Sequence, residues 1–187
     1  NLTNLVFVGV NQTRSKLNDK NVRKALSLAV DRLDVAEKCY YSLSVPALSL
    51  FNDKNEIAKN EGSIFNLEDN VVLALEYLKK SGYSNINNEG YYENKSGEKI
   101  ELSLLYNMDN NTQTMVASTL TKNFKASGLN VKSFGVSANE YKNAVKDGDY
   151  DLYVGEVKLT KSFDYTNLLT TKNVLAGSTD KKATDFL

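Results

Sequence analysis

Residues 18–32 read Asn18-Asp-Lys-Asn-Val-Arg-Lys-Ala-Leu-Ser-Leu-Ala-Val-Asp-Arg32. Val22, Ala25, Leu26, Ala29, Val30 and, just beyond, Leu33 recur at steps of three and four. That spacing puts them on one side of a helix. A helix with a single apolar stripe must lie on an apolar surface, so the segment predicts a core helix. Asn18 or Asp19 can cap its start, because a short side-chain oxygen satisfies the free N–H groups of the first turn. Asp31 can cap a second short helix running from Arg32 to Tyr40, with Asp34 near its positive N-terminal end.

Working outward, strands and helices alternate. Leu5–Val10 is β-rich and predicts a buried strand. Asn11–Leu17 is a polar loop. Tyr41–Phe51 holds the only proline, Pro46, which lacks an N–H and favours extended or turning backbone. Residues 52–65 are charged and without periodicity. Asn66–Gly82 predicts a helix capped by Asn66, with Val71, Val72, Ala74, Leu75 and Leu78 as its stripe and Gly82 as a left-handed stop. Asn88-Glu89-Gly90 and Ser96-Gly97 are turn signals that make a hairpin around Tyr91–Asn94. Ile100–Tyr106 predicts a strand with Ile100, Leu102, Leu104 and Tyr106 on one face.

Thr112–Ala126 predicts a helix, with Val116, Leu120 and Phe124 four apart and Gly128 as its stop. Leu129–Val136 reads as a strand. Ser137 and Glu140 form a capping box that starts a helix carrying Tyr141, Ala144 and Val145. Asp147-Gly148 ends it, and Tyr150–Gly155 is the last predicted strand. The alternation argues an α/β fold, a mixed sheet with flanking helices. Its predicted core includes Val22, Leu26, Val30, Leu75, Leu104, Val116, Leu120 and Leu152.

Composition narrows the chemistry. The 187 residues carry 23 basic and 23 acidic side chains, for a net charge of zero. That gives no electrostatic reason to expect nucleic acid or an anionic membrane as partner. The chain has no histidine, which removes Ser-His-Asp and Cys-His catalysis and imidazole metal ligation from its own residues. Its one cysteine, Cys39, cannot form an internal disulfide and falls where a helical stripe would continue, so it reads as a buried thiol. No apolar run approaches a membrane span. The chain opens on a strand without an initiator Met, which reads as a piece of a longer protein.

Several of these segments have a distinctive wording. Val22-Arg-Lys-Ala-Leu-Ser-Leu-Ala-Val-Asp-Arg32 resembles a segment of the family 5 extracellular solute-binding proteins. So do Pro46-Ala47, Ala74-Leu-Glu-Tyr-Leu-Lys-Lys-Ser-Gly-Tyr83, Leu120-Thr-Lys-Asn-Phe-Lys-Ala-Ser-Gly-Leu-Asn-Val131 and Tyr150-Asp151-Leu152. The matches occur in the family's order and spacing, over residues 5–170. The resemblance implies the peptide- and nickel-binding receptors of ABC importers. Residues 1–187 would be a single lobe of a two-lobed, periplasmic-binding-protein-like receptor, with peptide the commonest cargo. The partners implied are a peptide or other small solute and, through the full-length protein, the permease subunits. The chain would be a monomer with no cofactor and no catalysis. Its place would be the extracellular face of a bacterial membrane, lipid-anchored in the parent, or the periplasm.

The resemblance also marks ligand-binding candidates. In the family the first strand ends in an Asn at the lobe surface, and Asn11 stands there; as a plain residue it would be a turn former. Relatives hold the ligand's ammonium with an Asp, which here would fall within Lys158–Thr160, where there is no acid. Relatives also have a Trp near Glu156 or Val157, and this chain has none. Glu156 or Asp164 could substitute for the missing acid, or be solvated loop acids. Lys158 and Lys161 could meet an anionic ligand, or simply face water. Tyr165, with Tyr153, could offer flat apolar surface with a hydroxyl handle. Arg23 and Arg32 read as structural. The absent Asp and Trp leave open an interaction domain that kept the fold and lost the ligand. A carboxylate-based hydrolase is a more distant alternative, since no acid pair is marked out.

Overall fold

The computed structural model describes residues 4–48 and 67–158. They form two compact units. The first comprises residues 4–20, 101–118 and 131–158, and the second residues 21–48, 67–100 and 119–130.

The first unit is built on a four-stranded sheet in the order β1-β6-β4-β5, from β1 (Asn4–Val10), β4 (Glu101–Asn107), β5 (Asn130–Val136) and β6 (Leu152–Lys158). β1 runs antiparallel to β6, and β4 runs parallel to it, so the sheet is mixed as the sequence predicts. β4 is central and buries Leu102 and Leu104 on one face and Leu105 on the other. Alternation alone assigns it one apolar face. A strand covered on both sides keeps apolar residues at both phases. β1 is half-buried rather than buried because it is an edge strand. Helix α5 (Ala138–Asp147) starts with the expected capping box, Ser137 with Glu140, and stops at Gly148 in a left-handed conformation.

Tyr153 is fully buried at the centre of an aromatic group. Phe7, Tyr141 and Tyr150 meet its ring edge-on at centroid distances of 5.8, 6.5 and 4.8 Å. Leu105 and Val145 complete this core. Two glycines make room for it. Across β1 and β6, Gly9 stands opposite Tyr153, and Gly155 stands opposite Phe7. A Cβ on Gly9 would fall inside the Tyr153 ring, and one on Gly155 would strike both Phe7 and Tyr153. The same device recurs at the other edge, where a Cβ on Gly135 of β5 would lie 2.6 Å from the Tyr106 ring of β4.

The second unit holds most of α1 (Lys20–Leu28), α2 (Arg32–Tyr40), α3 (Val71–Lys80), a small hairpin of β2 (Asn85–Ile86) and β3 (Tyr92–Glu93), and the second half of α4 (Asn111–Ala126). Val22, Ala25, Leu26 and Ala29 of the opening stretch are buried as predicted. Val30 and Leu75 are only half-buried, and Leu33 is 40% exposed. For Val30 and Leu33 the reason is that α1 ends at Leu28 and the following turn breaks the helical phase before α2 begins. Asp31 caps α2 by accepting from the Asp34 N–H at 2.8 Å. Arg32 donates to the carbonyls of Ser27 and Val30, each at 3.2 Å, and thus fills free acceptors at the end of α1.

The third helix starts later than its sequence suggests. Its cap is Asn70, accepting from Leu73 N at 3.0 Å, and not Asn66, which lies outside the described residues. Residues 67–70 are committed elsewhere: Arg32 N donates to Leu67 O, and Asn70 N donates to Leu28 O. Val72, placed in the stripe by sequence, is 72% exposed, and Ala74 and Leu78 form the buried side. Gly82 ends this region with φ +88°, as predicted. The predicted hairpin is present, though its first strand, Asn85–Ile86, carries no β pattern to read. Cys39 is buried against Thr119, 3.5 Å from its hydroxyl, and burial raises its thiol pKa.

Candidate functional site

The last strand is longer than its apolar run. Tyr150 and Asp151 form the turn into it, and pairing with β1 carries it through Lys158. Asp151 acts locally. One carboxylate oxygen accepts from the Ser103 N–H at 2.8 Å and from its hydroxyl at 2.9 Å, while the other lies 3.4 Å from Arg14 Nε. The acid of the Tyr150-Asp151 motif therefore ties β6 to β4 and to the loop after β1. Glu156 and Lys158, expected in a loop, are strand residues opposite Val6 and Asn4.

Both line an open groove of about 470 Å³ at the carboxyl end of β6, together with Asn4, Gln113, Tyr141, Lys142 and Val145. Open α/β sheets place their ligands at this end of their strands. Gln113, in the first turn of α4, is buried and accepts from the N–H of Asn107, the last residue of β4, at 3.0 Å. Asn4 donates to Glu156 Oε1 at 2.6 Å. Tyr141 donates its phenolic hydrogen to Val154 O at 2.6 Å. Lys142 follows on the exposed side of α5.

Burial, with smaller effects of Tyr150 and Glu156, pushes the Tyr141 phenol up to about 12. Burial also raises Tyr150 and Tyr153. The folded chain thus holds these protons after an unfolded chain would release them near pH 10. Their contribution to folding is complete below pH 10 and falls as the pH climbs through 12. Melting followed by circular dichroism should show Tm dropping across that window. The drop should be smaller in Tyr141→Phe; an equal drop would mean that the Tyr141 phenol is not protected.

Asn11 sits at the far end of β1. Val10 pairs with Leu152, whereas Asn4 pairs with Lys158, so about six residues, roughly 20 Å of strand, separate Asn11 from the groove. Its side chain is buried and fully engaged. The amide donates to Gly148 O at 2.9 Å and Tyr150 O at 3.1 Å, and its oxygen accepts from the N–H and hydroxyl of Thr13. Asn11→Ala should cost about 1–3 kcal/mol, because buried carbonyls lose their donors. Urea denaturation measures it, and a change below about 0.5 kcal/mol would show that the amide does not secure this corner. Asp164 and Tyr165 lie outside the described residues. The structure therefore brings Glu156 and Lys158 together and adds Asn4, Gln113, Tyr141 and Lys142, which the sequence alone does not mark. Of these, only Gln113 carries a trace: a polar residue on the buried side of an apolar helix.

The chain matches known proteins in sequence and in fold. The family described as "Bacterial extracellular solute-binding proteins, family 5 Middle" matches residues 2–173. The oligopeptide-binding protein AppA of Bacillus subtilis is 24% identical over 128 residues, which are 68% of this chain and 23% of that protein. The chain thus spans about a quarter of this curated relative's length. The solved AppA structure with a nonapeptide superposes with a TM-score of 0.76 at 19% identity, covering 98% of this chain and 38% of that one. NikA from Brucella suis in complex with Fe(III)-EDTA gives 0.79 at 17% identity, covering 94% and 35%. A periplasmic oligopeptide-binding protein from Borrelia burgdorferi gives 0.75 at 22%, covering 98% and 35%. At these identities the likeness to the solved structures is one of fold. Among the described residues no helix is long and apolar enough to cross a membrane. Matched over most of its length and folded like these structures, the chain belongs to the bacterial extracellular solute-binding proteins of family 5.

Proposed function

We propose that residues 1–187 are one lobe of the substrate-binding component of an ABC importer, and that this lobe supplies one wall of a peptide-binding cleft. The observation that carries the reading is the groove at the carboxyl end of β6, in a chain whose family binds solutes. Peptide is the favoured cargo because the curated relative AppA is named for oligopeptides. Glu156 and Lys158 contact the solute from the groove, and Asp164 and Tyr165 do so from the segment that follows. Asn11 holds the opposite end of the sheet in place. The parent receptor is longer than this chain, monomeric, exported and lipid-anchored, and it delivers its solute to permease subunits.

The test is mass spectrometry of what co-purifies with the full-length receptor. Peptides are the expected result, and a non-peptide solute would overturn the cargo. The absence of an acid within Lys158–Thr160, and of any tryptophan, favours a second reading: an interaction domain without a ligand. A receptor that purifies empty, and that binds no peptide on titration, would favour it.

A further inference from the structure

We propose that the strip of chain after α2, residues 41–48, is a fixed docking face, covered in the parent receptor by an apolar, uncharged face of the polypeptide outside residues 1–187. This rests on the reading of the chain as one part of a longer receptor, and it says where another part of that receptor sits.

Exposure singles the strip out. Leu43 is 84% exposed, Tyr41 76%, Val45 67% and Leu48 41%. Val72, Ile86 and Phe134 are also exposed but stand singly in the sequence, which is ordinary for a surface. No charge holds the strip in water. Tyr40–Phe51 reads Tyr-Tyr-Ser-Leu-Ser-Val-Pro-Ala-Leu-Ser-Leu-Phe, without one charged residue in a chain that is 25% charged. Clustered exposed apolar side chains mark a contact surface.

The strip starts from a fixed shape. Tyr41 and Ser42 both take left-handed backbone, at φ 51° and 57°, which residues other than glycine adopt rarely. Their N–H groups donate to Ala36 O, and the Leu43 N–H donates to Tyr40 O at 2.8 Å. A strip already shaped loses little freedom on docking.

Composition and length select the occupant. A charged face would lose its hydration against this strip and gain no partner, so the covering face is uncharged. Permanent interfaces are the apolar ones, whereas contacts that form and break carry more polar groups. A second copy fits poorly, because a stable interface takes about 20–30 residues a side. Polypeptide of the same receptor meets the strip at high effective concentration and needs less area. Such polypeptide is plentiful in the relatives, of which this chain covers 38% in AppA and 35% in NikA.

The experiment is hydroxyl-radical footprinting of the full-length receptor, native and in urea, read by mass spectrometry. Native Tyr41 and Leu43 should label at least about fivefold more slowly than in urea, as residues of an interface core do. Ile86 and Phe134 should label at nearly the urea rate. Protection should not change when a pool of random pentapeptides is added, nor on about tenfold dilution. In the 187-residue chain by itself, Tyr41 and Leu43 should label freely while buried Tyr153 stays protected. In the full-length receptor, Leu43→Lys with Val45→Lys should lower Tm by about 5 °C or more, and Ile86→Lys should leave it unchanged. Native labelling of Tyr41 and Leu43 at the urea rate would overturn the contact. So would protection that appears only with the pentapeptides, which would make the strip part of the solute site. Protection lost on dilution would assign the strip to a second copy, and protection in the 187-residue chain would assign it to that chain's own segments; either result overturns the proposal. A protected strip in a receptor that binds no solute would uphold the contact and overturn the importer reading alone.

Discussion

Gly9→Val should destabilise the sheet unit by about 3 kcal/mol or more. Overpacking a well-filled core costs about 1–3 kcal/mol and occasionally more. Here the added carbons would land inside the ring of Tyr153, which is fully buried and boxed in by Phe7, Tyr141 and Tyr150. The ring has nowhere to swing. Tyr153→Ala alone should cost about 3–5 kcal/mol through the cavity that it leaves. The two changes together should cost less than their sum, since removing the ring removes the clash. Urea denaturation of the four proteins gives the cycle. Strict additivity, or a Gly9→Val cost below about 1 kcal/mol, would mean that Tyr153 does not lie over Gly9.

The second large effect concerns affinity. If this lobe supplies one wall of a cleft, the full-length receptor should bind its solute at least about 100-fold more tightly than the 187-residue chain. Binding free energy is the surplus over large ordering and immobilisation costs, so losing half the contacts removes far more than half of it. Isothermal calorimetry on both proteins, with the solute identified by co-purification, measures the ratio. Comparable affinities would place the whole site within this chain and end the shared-cleft reading. Full-length protein carrying Glu156→Ala, Lys158→Ala and Asp164→Ala should lose most of its affinity; no change would remove these residues from the site.

How far the sequence can be read depends on how local the cause is. The capping box Ser137–Glu140, the Asp31 cap, the glycine stops at Gly82 and Gly148, and the stripes of α1 and α4 each depend on residues within a turn or two. These are legible. Asn70 displaces Asn66 as a cap because residues 67–70 bond to the turn after α1, a contact some forty residues away in sequence. Leu105 falls on the wrong phase of a one-faced strand, and its burial follows only from the central place of β4. The extension of β6 to Lys158 depends on β1, almost 150 residues earlier. The candidate site is half legible for the same reason. Glu156 and Lys158 come from a resemblance to a family. Gln113, Tyr141 and Lys142 join them only through the sheet, which brings α4 and α5 to the end of β6. No one-dimensional pattern records that proximity.

The position of Tyr141 has a spectroscopic consequence. The chain contains eleven tyrosines and no tryptophan, so its near-ultraviolet absorption and emission are dominated by phenols, with no indole to mask them. One of those phenols lines the groove with its hydroxyl already bound to a backbone carbonyl. Burial pushes its pKa up to about 12, above the ordinary phenol value, and burial also raises Tyr150 and Tyr153. The chain therefore carries an unlabelled chromophore at its candidate binding surface. At neutral pH, a solute settling against that ring would report its arrival as a change in near-ultraviolet phenol absorption.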